Sequence, residues 1–155
     1  PVPSKDQAII WMQHQGIADA EAVLSYAGGS PLRAGEEVEQ SAIASIAICQ
    51  QLLGGAKVDI FQTASACLEL GMENAINTLQ KCCYDLLLSK MTQKTRYHLA
   101  QASGIQKISK HADLSALLDF LRKLDEAKKS ATHPLNNDLQ LTRLLHYYSQ
   151  VFKAL

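Results

Sequence analysis

Asp113-Leu114-Ser115-Ala116-Leu117-Leu118-Asp119-Phe120-Leu121-Arg122-Lys123-Leu124 sets Leu114, Leu117, Leu118, Leu121 and Leu124 three or four residues apart. That recurrence is the period of one helix face, since a strand would alternate every second residue. Asp113 stands just before the stripe, where its carboxylate can accept from first-turn amides that lack an intrahelical partner. Every other segment with a period is helical and none alternates. The expected fold class is therefore all-α.

Upstream, Ile76, Leu79, Cys83, Leu86 and Leu87 form another stripe, in a helix expected to stop near Thr92. Asp59-Ile60-Phe61-Gln62 has the capping-box form and opens a helix through Leu68 that Gly71 ends. Ile43, Ile46, Cys49, Leu52 and Leu53 make a further stripe, ending at Gly54-Gly55. Thr95 to Ala112 has no clear period: Tyr97 to Ala100 suits a helical turn, while Ser103-Gly104 and Ser109 to His111 read as loop. Downstream, Thr132 to Asn137 is a turn containing Pro134, and Leu141, Leu144, Leu145, Tyr148, Val151 and Phe152 form a closing amphipathic helix.

The N-terminal part is built from shorter pieces. Ser4-Lys5-Asp6-Gln7 opens a helix that stops at Gly16, and Asp19 opens a second that Gly28-Gly29 closes. Ser30 caps a third, with Pro31 at its first position, where no amide hydrogen is needed. Gly35 leaves open whether this helix runs on to Ile43. A stretch of about forty residues cannot bury enough surface to stand alone. The expected organisation is a small three-helix module at 1–38 followed by an antiparallel helical bundle at 39–155.

With 155 residues, 47% of them hydrophobic, the chain can form one ordinary domain or two small ones. No apolar run approaches a membrane span and no charged-then-apolar leader opens the chain, so a cytoplasmic protein with no membrane partner is expected. The start Pro1-Val2-Pro3 is linker-like and suggests a piece of a longer polypeptide. Fifteen basic and fifteen acidic residues cancel, which removes the simple electrostatic case for nucleic acid. Up to Ala75, however, three basic residues face nine acidic ones, a net of −6, and the remainder carries a net of +6. Oppositely charged halves suit docking between different neighbours.

No catalytic or metal constellation is legible. Gly54-Gly55-Ala56-Lys57 lacks the spacing and the following Ser or Thr of a phosphate-binding loop and reads as a helix end. Cys49, Cys67, Cys82 and Cys83 have no C-x-x-C spacing and fall in apolar helical stretches, which indicates buried free thiols. His14, His98, His111, His133 and His146 are scattered, with no carboxylate at a matching helical spacing, and read as surface or half-buried side chains. Arg143 and His146 share one side of the last helix, a weak likeness to helical nucleases. Trp11 and Tyr147 are open to interface roles, whereas Tyr148 and Phe152 belong to the core stripe. Arg33, in the first turn of the helix after Pro31, is disfavoured there by the helix dipole, which points to an anionic partner.

Two stretches resemble a known family. Ala27-Gly28-Gly29-Ser30-Pro31-Leu32-Arg33-Ala34, after two short helices, resembles the lid of AAA+ clamp-loader subunits, with Arg33 at the sensor-2 position and Gly29, Ser30 and Pro31 forming the lid turn. Leu118 to Ala131, followed by Pro134-Leu135-Asn136-Asn137-Asp138-Leu139-Gln140-Leu141-Thr142-Arg143-Leu144-Leu145, resembles the C-terminal collar helices of the bacterial DNA polymerase III delta-prime family. Pro31 favours delta-prime over its ATP-hydrolysing relatives, in which aspartate typically follows the arginine that Ala34 follows here. The resemblance implies a non-catalytic part of a clamp loader with no cofactor or metal of its own. Its Pro134, Asn136, Leu139, Leu141, Leu144 and Leu145 would belong to a collar helix. Its partners would be the gamma/tau ATPase and delta subunits, with the sliding clamp and primed DNA reached indirectly. Arg33 would contact nucleotide or, in a subunit that does not bind it, hold the lid to the preceding module. The alternatives are the C-terminal region of an ATP-hydrolysing loader subunit, or an unrelated helical adaptor or nuclease.

Overall fold

The computed structural model of the chain describes residues 36–130 and 136–152. The lid-like module, with Gly29, Ser30, Pro31 and Arg33, lies outside the described residues except for its last three positions, and so does Pro134. Among the described residues the chain forms six α-helices and no strand. They are α1 (Glu36–Leu52), α2 (Ile60–Leu70), α3 (Met72–Thr92), α4 (Ala102–Ser109), α5 (Leu114–Ser130) and α6 (Asn137–Gln150), with short 3-10 turns at Gly55–Lys57 and Leu99–Gln101.

Local chemistry sets most of these boundaries. Asp59 caps α2 by accepting from the Gln62 amide at 3.0 Å, and Asp113 caps α5 by accepting from Ala116 at 2.9 Å. Gly71 alone separates α2 from α3 and takes a φ of 95°, which a side chain would resist. Asn136 enters α6 from the left-handed region at φ 58°, a conformation that asparagine tolerates better than most residues.

Helix α3 lies at the centre, packing on α1, α2, α4 and α5, while α6 packs on α2, α5 and the Gly55–Lys57 turn. Ile76, Leu79, Cys82, Cys83 and Leu86 of α3 are fully buried. The closing helix behaves as its pattern predicts, with Leu141, Leu144, Leu145 and Tyr148 buried, followed by Val151 and Phe152. Tyr148 ties the closing helix to α1, 96 residues back along the chain. Its hydroxyl donates to the Leu52 carbonyl at 2.8 Å, satisfying an acceptor at the end of α1 that no helical amide can reach. Its ring meets Phe120 and Phe152 at centroid distances of 5.8 and 5.1 Å.

Three expectations are corrected. On α1 the buried face runs through Ala42, Ser45, Ile48, Cys49 and Leu52, and Ile43 of the expected stripe is 48% exposed. Small residues decide this face: Ser45 Oγ lies 2.7 Å from Thr78 Oγ1, and Cys49 Sγ lies 3.7 Å from Cys82 Sγ, an approach that larger side chains would block. On α5 the buried positions are Leu117, Phe120, Leu124 and Ala127, leaving Leu114 and Leu118 exposed. The leucines there span a wider arc than the neighbours cover, and Phe120 takes the place that reaches Tyr148. Ser103 and Gly104, expected in a loop, lie inside α4. Gly104 is there for space, since a Cβ would sit 2.6 Å from Leu53 Cδ1.

Candidate functional site

Two charged clusters stand out among the described residues. The first is buried. Asp85 on α3 and His98, just before the Leu99–Gln101 turn, are both fully buried, with His98 Nδ1 3.2 Å from Asp85 Oδ2. Asp85 Oδ1 accepts from the amides of Arg96 at 2.8 Å and Tyr97 at 3.0 Å, and Oδ2 accepts from that of His98 at 2.7 Å. Burial alone would push this carboxyl up. The His98 ring and the three amides outweigh it and hold the group below the ordinary carboxylate value. The carboxylate thus fastens the chain after α3 back onto that helix. His98, expected among the surface or half-buried histidines, is buried instead, and its partner Asp85 is 13 residues away on another element, outside any helical spacing.

The second cluster is on the surface, where α5, α6 and the start of α2 converge. A cleft of about 260 Å³ is lined by Lys123, Glu126, Ala127, Gln140, Arg143, Leu144 and Tyr147. A second, of about 570 Å³, is lined by Ile60, Phe61, Thr142, Arg143, His146, Tyr147 and Gln150. Arg143 and Tyr147, one turn apart on α6, line both. The charge of Arg143 beside the Tyr147 phenol is the first cause holding that phenol below the usual tyrosine value, with Lys123 adding to it. Lys123 Nζ sits 4.9 Å from the centre of the Tyr147 ring and 2.6 Å from Asp119 Oδ2. Phe61, in the first turn of α2, leaves 79% of its surface exposed at the mouth of the larger cleft.

Comparison of the chain with protein-family models, curated proteins and solved structures finds no match. The geometry alone therefore bears on function. Arg143 and His146 do line one cleft, as their shared side of α6 suggests, but the polar neighbour of His146 is Gln150, with Nε2 atoms 3.4 Å apart. No group of three or more His, Cys, Asp or Glu among the described residues is placed to hold a metal ion. The four cysteines are free and buried. Burial pushes the Cys67 thiol up to about 12, the contact with Cys49 followed by burial raises that of Cys82, and burial raises that of Cys83. A thiol kept protonated is neither a nucleophile nor a metal ligand.

Of the collar-motif residues, Leu141, Leu144 and Leu145 anchor α6 in this chain's own core, while Leu139 is 59% exposed beside the turn at Asn136. Phe61 was legible only as part of a capping box, and nothing in the spacing sets it opposite Tyr147, 86 residues on. No helix among the described residues is long and apolar enough to cross a membrane.

Proposed function

We propose that this chain is the lid-plus-collar portion of a bacterial clamp-loader subunit of the delta-prime kind, a cytoplasmic, non-catalytic piece that assembles with the gamma/tau ATPase and delta subunits. One observation supports this reading above the others. The helix that carries the collar-like motif, α6, is pinned on one side by Leu141, Leu144, Leu145 and Tyr148, and on the other it offers Leu139, Arg143, His146 and Tyr147 to a neighbour. A helix held that way suits lateral packing in a ring of subunits, where large amphipathic side chains and arginines concentrate at contacts. The net charges of −6 and +6 on the two parts of the chain favour different neighbours on either side. In such a loader the piece would keep the subunits joined while the ATPase modules move.

The test is reconstitution. The purified 155-residue protein, mixed with the gamma/tau and delta subunits encoded in the same genome, should give a discrete hetero-oligomer by native mass spectrometry. Failure to associate with either subunit would remove the reading.

A further inference from the structure

We propose that the Arg143–Tyr147 face is a docking site for an acidic peptide segment of a partner protein, one that carries a large apolar side chain close to its carboxylate. The inference rests on the assembly reading only in taking the occupant to be protein.

The larger cleft has an apolar wall of Ile60, Phe61 and Tyr147, and the exposure of Phe61 makes that wall costly to leave in water. Arg143, exposed and lining both clefts, forms no ion pair among the described residues, although a planar guanidinium is built to hold a carboxylate through paired, charge-assisted hydrogen bonds. The neighbouring cation, Lys123, is already held by Asp119. One arginine next to one apolar pocket is a two-point site, for a carboxylate and an apolar side chain. Glu126 lines the smaller cleft and not the larger one, so the larger one is the better place for an acidic residue. The same glutamate, with Lys123 committed elsewhere, disfavours a chain of phosphates, although exposed aromatics beside an arginine could otherwise stack bases. The net charge of +6 on residues 76–155 steers acidic partners to this part of the molecule.

The test is selection from a random twelve-residue peptide library displayed on phage against the immobilised 155-residue protein. Enriched peptides should carry Asp or Glu within a helical turn of Leu, Ile, Met or Phe. A fluorescein-labelled enriched peptide should bind wild type at least about tenfold more tightly than Arg143→Met or Phe61→Ser, each first shown to keep the wild-type circular dichroism spectrum. No enrichment, enrichment of peptides without acidic residues, unchanged affinity in Arg143→Met, or tighter Arg143-dependent binding of oligo(dT) would each overturn the proposal. Loss of loader assembly with peptide binding intact would overturn the clamp-loader reading alone. Intact assembly without peptide selection would overturn the docking site alone.

Discussion

Asp85 and Arg143 each place a charged group among hydrogen-bonding neighbours, but they stand at opposite extremes of satisfaction. The Asp85 carboxylate is buried and surrounded by three amides and an imidazole, so every donor that reaches it comes from this chain. Arg143 is exposed beside the Tyr147 phenol and lines two open clefts. A buried charge must be saturated from within or the fold fails, and saturation leaves it nothing to offer a ligand. An exposed charge with spare donors costs the fold little and remains available. The first arrangement is architecture and the second is a place to bind.

Removing the saturated group should have the largest effect. Asp85→Asn replaces a carboxylate acceptor with an amide that cannot receive all the same donors, and should lower unfolding stability in urea by about 3 kcal/mol at neutral pH. The pH dependence gives a sharper check. Because the folded-state value of Asp85 is depressed, its contribution is present above the unfolded carboxylate value of about 3.9 and is lost as the pH falls through the lower folded value. The gap between wild type and Asp85→Asn should therefore narrow in acid. A gap that stayed constant down to the acid unfolding limit would mean the carboxylate is not what holds the 93–98 segment.

Next comes Tyr148→Phe, which keeps the ring contacts and strands the Leu52 carbonyl. It should cost about 1 to 2 kcal/mol in the same urea titration. Gly104→Ala should matter less. The helix gains from losing a glycine, about 1 kcal/mol, and loses as Leu53 is pushed from its place, so a net change within about 1 kcal/mol of zero is expected. Leu53→Ala should remove the conflict and make the alanine at 104 favourable relative to glycine in that background. Smallest of all, Arg143→Met and Phe61→Ser should leave the thermal midpoint unchanged while weakening peptide binding at least about tenfold. A large loss of stability in either would place Arg143 with Asp85 and dissolve the contrast.

Sequence and structure agree where one element suffices to determine the outcome. The Asp59 and Asp113 caps, the stop at Gly71 and the closing stripe from Leu141 to Phe152 all rest on residues within a few positions of each other, and all were legible. Reading failed where two elements decide together. The exposed Ile43 and the buried Ser45 follow from how closely α1 approaches α3, which hydrophobicity along α1 does not encode. Gly104 resembles a loop glycine until Leu53 is known to lie against it. The same limit hid the Asp85–His98 pair, which joins a helix to a later turn. It also hid the cleft that Phe61 shares with Tyr147, although Tyr147 and Arg143 were visible on α6. The candidate site was thus half legible: the helix that carries it, without the α2 residues that complete its cleft.

Hydrogen exchange measured on the 155-residue protein, alone and with the proposed gamma/tau and delta partners, tests whether the Arg143–Tyr147 face is where such an assembly would form. Slowed exchange in α6 and the first turn of α2, with the segment fastened by Asp85 unchanged, is the expected result. Unchanged exchange in α6, or slowing centred on residues 93–98, would contradict it.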